Sequence, residues 1–188
     1  MAALLAQQTS QAYSKVIMKQ LQQQILTTPE TLNGVSTTQL TEHLRASDLV
    51  SDEEAAKKAI ALKQYSQWYV EQGGFDALAP LDMLALRNAL LTIKAIAMDK
   101  ETADLILLYA FQRPAFIIDE DTRRIFYRLE LINGDEPHDE LRHLMSLFLD
   151  QDADLFNEYH ALLVHHARKH CRQEPQCKSC PLDDICPE

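Results

Sequence analysis

Glycine is scarce in this chain. Four glycines and seven prolines are all that punctuate 188 residues, and few positions are set aside for left-handed backbone or breaks. Long apolar runs are absent as well. No stretch of about 18 apolar residues occurs, which excludes a helical membrane span. The N-terminus, MAALLAQQTSQAYSK, has neither the basic start nor the apolar core of a signal peptide. A cytoplasmic protein is expected, and cytoplasmic thiols stay reduced. Basic charge is also short: 18 Lys and Arg stand against 28 Asp and Glu, for a net −10. Nucleic-acid binders usually carry the opposite balance. Cysteine is missing from everything that precedes Cys171.

What is present is helical periodicity. At 46% hydrophobic, the chain can bury one core or two small ones. Tyr13, Val16, Ile17, Leu21 and Ile25 form one stripe at helical spacing. Thr28 before Pro29 predicts a cap followed by proline at the first helical position. Ser36 to Gln39 and Ser51 to Glu54 have capping-box spacing, and the second opens a long helix that stops at Gly73-Gly74. Asp82 after Pro80-Leu81 opens a helix carrying Leu84, Leu86, Leu90 and Leu91. Lys100 to Phe111 is helical again, up to Arg113-Pro114. The run AFII (115–118) is too short to build a sheet and predicts a buried extended connector. Further helices are expected over Glu120–Leu131, His138–Leu149 and Asp154–His170, with a turn at Asn133-Gly134. The fold class is all-α.

The four cysteines obey C-x5-C-x2-C-x5-C from Cys171 to Cys186. Reduced thiols so clustered point to a metal rather than to disulfides or scattered core cysteines. Structural zinc usually sits between two short knuckles joined by a longer segment. Here only Cys177 and Cys180 make a knuckle, and four thiolates in one loop also suit the four irons of a cubane. Spacing leans modestly toward iron–sulfur and leaves zinc open. Just upstream, Tyr159 to Gln173 lacks Asp and Glu and holds Arg168, Lys169, Arg172 and four histidines. That pattern fits a helix C-terminus or a phosphate-facing patch equally well.

The loop, with Cys180-Pro-Leu, resembles the [4Fe–4S] loop of the endonuclease III superfamily of DNA glycosylases, a helix-hairpin-helix family. Its first gap of five is similar to a branch of endonuclease III-like proteins related to alkyl-base glycosylases. LLAQQTS (4–10) resembles the family's Gln-x-Thr helix start. KETAD (100–104) with LILLYAFQRP resembles its second hairpin helix. FIID (116–119) followed by TRRI (122–125) is similar to its catalytic-aspartate segment, and NEYHAL (157–162) leads into the cysteine loop as in the family. The first of these motifs lies close to the start of the sequence, and the helix that precedes it in the family is expected to be missing or cut off by a shortened start.

The resemblance implies a two-lobed helix-hairpin-helix glycosylase fold: residues 1–112 carry a degenerate hairpin, and residues 113–188 carry the cluster loop. Asp119, at the cleft between lobes, would be catalytic, although an aspartate before a helix is also an ordinary N-cap. Cys171, Cys177, Cys180 and Cys186 would hold the [4Fe–4S] cluster. Gln7, Lys94, Lys100, Arg123 and Arg124 would meet DNA, with Gln7 entering the gap left by a flipped base. The partner would be duplex DNA containing a damaged base, bound by a monomer in the cytoplasm at the nucleoid. Glu101 stands where bifunctional relatives have a Schiff-base lysine, which argues for glycosylase without lyase chemistry. Residues 94–100, KAIAMDK, lack the hairpin glycines that let backbone amides approach a phosphate, and Asp99 is read as a helix cap. Those departures sustain a rival expectation, a non-catalytic iron–sulfur module that binds DNA or protein.

Overall fold

The computed structural model describes residues 1–6, 11–45, 49–93 and 98–187. Among the described residues every regular element is a helix and no strand occurs. In chain order the helices are α1 (Ala2–Ala6), α2 (Gln11–Gln23), α3 (Pro29–Asn33), α4 (Thr37–Arg45), α5 (Asp52–Glu71), α6 (Gly74–Leu78), α7 (Met83–Leu91), α8 (Lys100–Phe111), α9 (Glu120–Arg128), α10 (His138–Phe148) and α11 (Ala153–Lys169). A short 3-10 turn follows at Cys177–Ser179. None of the described helices is long and apolar enough to cross a membrane. The chain divides into two compact units, Met1–Ala103 and Asp104–Glu188.

In the first unit the expected start signals work by satisfying orphan amides. Thr28 Oγ1 accepts the Thr31 amide at 3.3 Å, Ser36 Oγ that of Gln39 at 3.2 Å, and Ser51 Oγ that of Glu54 at 3.2 Å. Gln39 Oε1 returns the bond to the Ser36 amide at 3.1 Å, closing that capping box. Asp82 caps α7 through the Ala85 amide at 2.8 Å. The long α5 packs against α3 and α4 and buries Ala55, Ala59, Leu62, Tyr65 and Tyr69. It ends where two glycines take left-handed backbone, φ 87° at Gly73 and 73° at Gly74.

The stripe read on α2 breaks at its end. Tyr13, Ile17 and Leu21 are fully buried, but Val16 is exposed and Ile25 is 75% exposed. Ile25 has left the helix with φ 58°, and the Leu26 amide donates back to the Leu21 carbonyl at 2.8 Å. This is the helix-closing motif that glycine normally serves. It turns Leu26 inward in place of Ile25. The same device shortens α9, expected to reach Leu131 and ending at Arg128: Glu130 has φ 54°, and the Leu131 amide donates to the Phe126 carbonyl at 2.9 Å.

The second unit is built on the connector 115–118, whose four residues are all buried without being helix or strand. Phe116 meets Phe156 edge-on at 5.5 Å and Tyr159 at 5.4 Å, so the connector is keyed into α11. Ile117, Ile118, Ile125, Phe126, Leu108 and Leu141 complete the core. A fully buried carboxyl group lies inside this unit. Asp104 is fully buried, its Oδ2 2.8 Å from His138 Nε2 and 3.9 Å from Arg142 Nε. Removing one partner from such a group strands the others in a dry site. Asp104→Leu is therefore expected to destabilise the chain by about 3–5 kcal/mol, read as a lowered urea midpoint with an unchanged slope.

Candidate active site and cysteine loop

Asp119 ends the buried connector and caps α9. Its backbone is extended, which frees the side chain to reach forward, and Oδ1 accepts the Thr122 amide at 2.7 Å. The other oxygen, Oδ2, lies 3.2 Å from Nε2 of His160 on α11. The far nitrogen of that ring, Nδ1, lies 2.6 Å from the Tyr109 hydroxyl on α8. The Asp119 and His160 side chains are only 18% and 13% exposed. Burial pushes the Asp119 carboxyl up, but the bonds from His160 and the Thr122 amide outweigh it and hold the group below its ordinary value. Burial, and then the Asp119 charge, pushes the Tyr109 phenol up, so its hydroxyl keeps its proton.

His160 lies within NEYHAL (157–162) and Tyr109 within LILLYAFQRP, and neither was expected to have a role at the site. A signal was available. His160 is four residues after Phe156, hence on the same inward face of α11.

The cysteines follow directly. Cys171 is buried at the end of α11; Cys177, Cys180 and Cys186 are half-buried, and none forms a disulfide. All four line one cavity, closed by Ile125, Arg128, Leu129, His166, His170 and Leu182 among others. Among the described residues no three His, Cys, Asp or Glu side chains converge on the position of a lone metal ion. A cubane does not ask for that, because each thiolate binds a different iron. Burial, then Asp183 and the neighbouring thiols of Cys180 and Cys186, pushes the Cys177 thiol up. Thiolates gathered this way repel unless a cationic centre sits among them.

Arg128, the last residue of α9, holds the start of the loop. Its guanidinium donates to the Arg172 and Gln173 carbonyls and to Cys171 Sγ at 3.4 Å. Arg124, one turn earlier, donates to the Cys171 carbonyl at 2.9 Å and pairs with Asp121.

The fold agrees with the comparisons. A protein of Methanocaldococcus jannaschii that carries the provisional name DNA repair glycosylase is 40% identical over 132 residues, 69% of this chain and 59% of its own. The endonuclease III of Sulfolobus acidocaldarius is 33% identical over 112 residues, 59% of this chain and 48% of its own. A solved endonuclease III–DNA complex superposes with a TM-score of 0.78 at 22% identity, covering 100% of this chain and 80% of that one. The chain belongs to the endonuclease III superfamily. No family model matches it. It spans about half to three-fifths of the length of the first two relatives.

Within this superfamily frame the remaining expected residues distribute unevenly. Gln7 and Lys94, with the glycine-free stretch 94–97, lie outside the described residues. Lys100 is the exposed first residue of α8. Asp99 caps that helix through the Thr102 amide at 2.8 Å, and Glu101 is half-buried in its first turn. Arg123 donates to the Glu136 carbonyl at 2.9 Å. Both Arg123 and Arg124 thus spend donors inside the unit, although a guanidinium has five N–H groups to share. The histidine-rich stretch ends α11, with His166, Arg168 and Lys169 in its last turn, where cations suit the helix dipole. His165, His166, Lys169 and His170 also line an open pocket of about 420 Å³.

Two outcomes follow from this geometry. Asp119 titrates below its ordinary value of 3.8 in the folded chain, so its ionisation favours folding. That contribution is complete above the unfolded value and is lost as pH falls through the folded one. The stability difference between wild type and Asp119→Asn should accordingly be largest near neutrality and shrink in acid, read from urea melts across pH. Arg128→Met should accelerate exchange of the 172–187 amides by at least about tenfold, the weight of one hydrogen bond to a charged group, while α2 to α5 stay protected.

Proposed function

We propose that the chain is a DNA N-glycosylase of base-excision repair that cleaves the bond between a damaged base and its sugar without lyase chemistry. One observation carries the reading: the residue matching the family's catalytic aspartate is a half-buried carboxylate kept anionic by two donors. Leaving of the base builds positive charge on the sugar, and a fixed anion close to that carbon lowers the barrier. The same carboxylate can draw a proton from the attacking water. An enzyme of this kind works on a base turned out of the duplex. Glu101 has no nucleophilic amine, so water rather than the protein takes the sugar.

Duplex DNA with a damaged base is the proposed partner of a monomer in the cytoplasm, associated with the nucleoid. Gln7, Lys94, Lys100, Arg123 and Arg124 are the proposed DNA contacts. A [4Fe–4S] cluster is proposed at Cys171, Cys177, Cys180 and Cys186, whose thiols fit it by lining one cavity beside the Arg128 guanidinium. Bound there, it would tie together a loop with little core of its own.

Anaerobically purified protein should hold about four irons per chain, by elemental analysis; stoichiometric zinc from iron-rich growth would sink that part. The catalytic part is read from defined duplexes bearing alkylated, oxidised or deaminated bases. Asp119→Asn should stay folded, since Asn also caps helices. Its base release should fall about 10²–10³-fold, the cost of one preorganised electrostatic group. A wild type that releases nothing from the whole panel points instead to a non-catalytic DNA-binding or protein-interaction module.

A further inference from the structure

We propose that His160 is the positioning residue of Asp119, and that Tyr109 fixes the tautomer in which His160 does this work. The inference rests on the reading of Asp119 as the working carboxylate. His160 Nε2 faces an oxygen, Asp119 Oδ2, that only accepts at 3.2 Å, so Nε2 carries the proton. Nδ1 of a neutral ring is then an acceptor, and the group it meets at 2.6 Å is the Tyr109 hydroxyl. A phenol is a competent donor to it. The chain of bonds therefore runs one way, from Tyr109 through His160 to Asp119.

Tyr109 also stacks obliquely on the imidazole, with ring centres 5.9 Å apart, which limits rotation of the ring. Asp119 is held at both oxygens from two different helices: α9 supplies the Thr122 amide and α11 supplies His160. Among the described residues, His160 from α11 and Tyr109 from α8 are the titratable groups that the bonds and charges at the carboxylate involve. Along α9 itself, Glu120 and Asp121 follow it in the chain, and Asp121 is paired with Arg124. Once the His160 bond is gone, the burial cost of the Asp119 anion stands against Thr122, whose amide and side chain both favour the anion. The side chain is then held by one residue in place of two, and its carboxyl moves up.

The test uses the full chain with its own metal complement, labelled for NMR, and the variants His160→Leu, His160→Gln and Tyr109→Phe. In wild type the His160 ring nitrogens should report the single Nε2–H form. Tyr109→Phe should replace it with a tautomer mixture. The Asp119 carboxyl should titrate at higher pH in His160→Leu than in wild type. His160→Gln, whose amide can still donate from a similar position, should fall between them. Base release near neutrality should drop by about 10–10²-fold in His160→Leu, the scale of a misplaced catalytic group, and its acid limb should move up with the carboxyl. Coincident Asp119 titrations in wild type, His160→Leu and Tyr109→Phe overturn the proposal, whatever base release does. If the titration moves while wild type releases no base, the positioning role stands and the glycosylase reading falls.

Discussion

A carboxylate withdrawn from water is unfavourable unless donors meet it, and the second unit is arranged to meet that demand at Asp119. The first turn of α9 contributes the Thr122 amide, and α11 contributes His160, which is itself braced by Tyr109 of α8. Three helices must therefore keep their places for this set of bonds to reach one side chain. What keeps them is apolar. Phe116 sits edge-on against Phe156 and Tyr159, so the connector cannot slide along α11 without breaking ring contacts. His160, one turn beyond Phe156, arrives with that register.

The nine residues of α9 join this site to the cysteine loop. Asp119 caps one end and Arg128 reaches from the other to the carbonyls that open the loop. A helix of that length extends about 13 Å, and its inward face, Ile125 and Phe126, is locked in the core. Disturbance at the loop is thus applied to the C-terminal end of the element whose N-terminal amides hold the carboxylate. The loop and the acid share a strut.

Scarcity of glycine shows in how the helices end. α5 uses Gly73 and Gly74, but α2 and α9 close over Ile25 and Glu130 in left-handed backbone. A branched or charged residue is unfavourable there. The burial of Leu26 and the amide returned to Leu21 are what α2 gains in exchange. Such ends leave no trace in composition, which is why both helices were expected to run on.

Local chemistry was legible from the residues alone. Capping side chains at Thr28, Ser36, Ser51, Asp82, Asp99 and Asp119 act within three residues of themselves, and a three-residue interaction is written in three residues of sequence. The same holds for the helical periods, for the buried 115–118 connector, and for the cysteine spacing. The distant partners of Asp119 and Cys171 were not legible, because His160 is 41 residues from Asp119 and Arg128 is 43 from Cys171. No pattern of neighbours encodes such distances. Only the packing of α8, α9 and α11 around Phe116 decided that a histidine in a basic stretch would face the acid, and that two arginines assigned to DNA would give donors to their own fold. Sequence specifies contacts whose ends lie within a turn of each other; contacts closed by the core exist only once that core has formed.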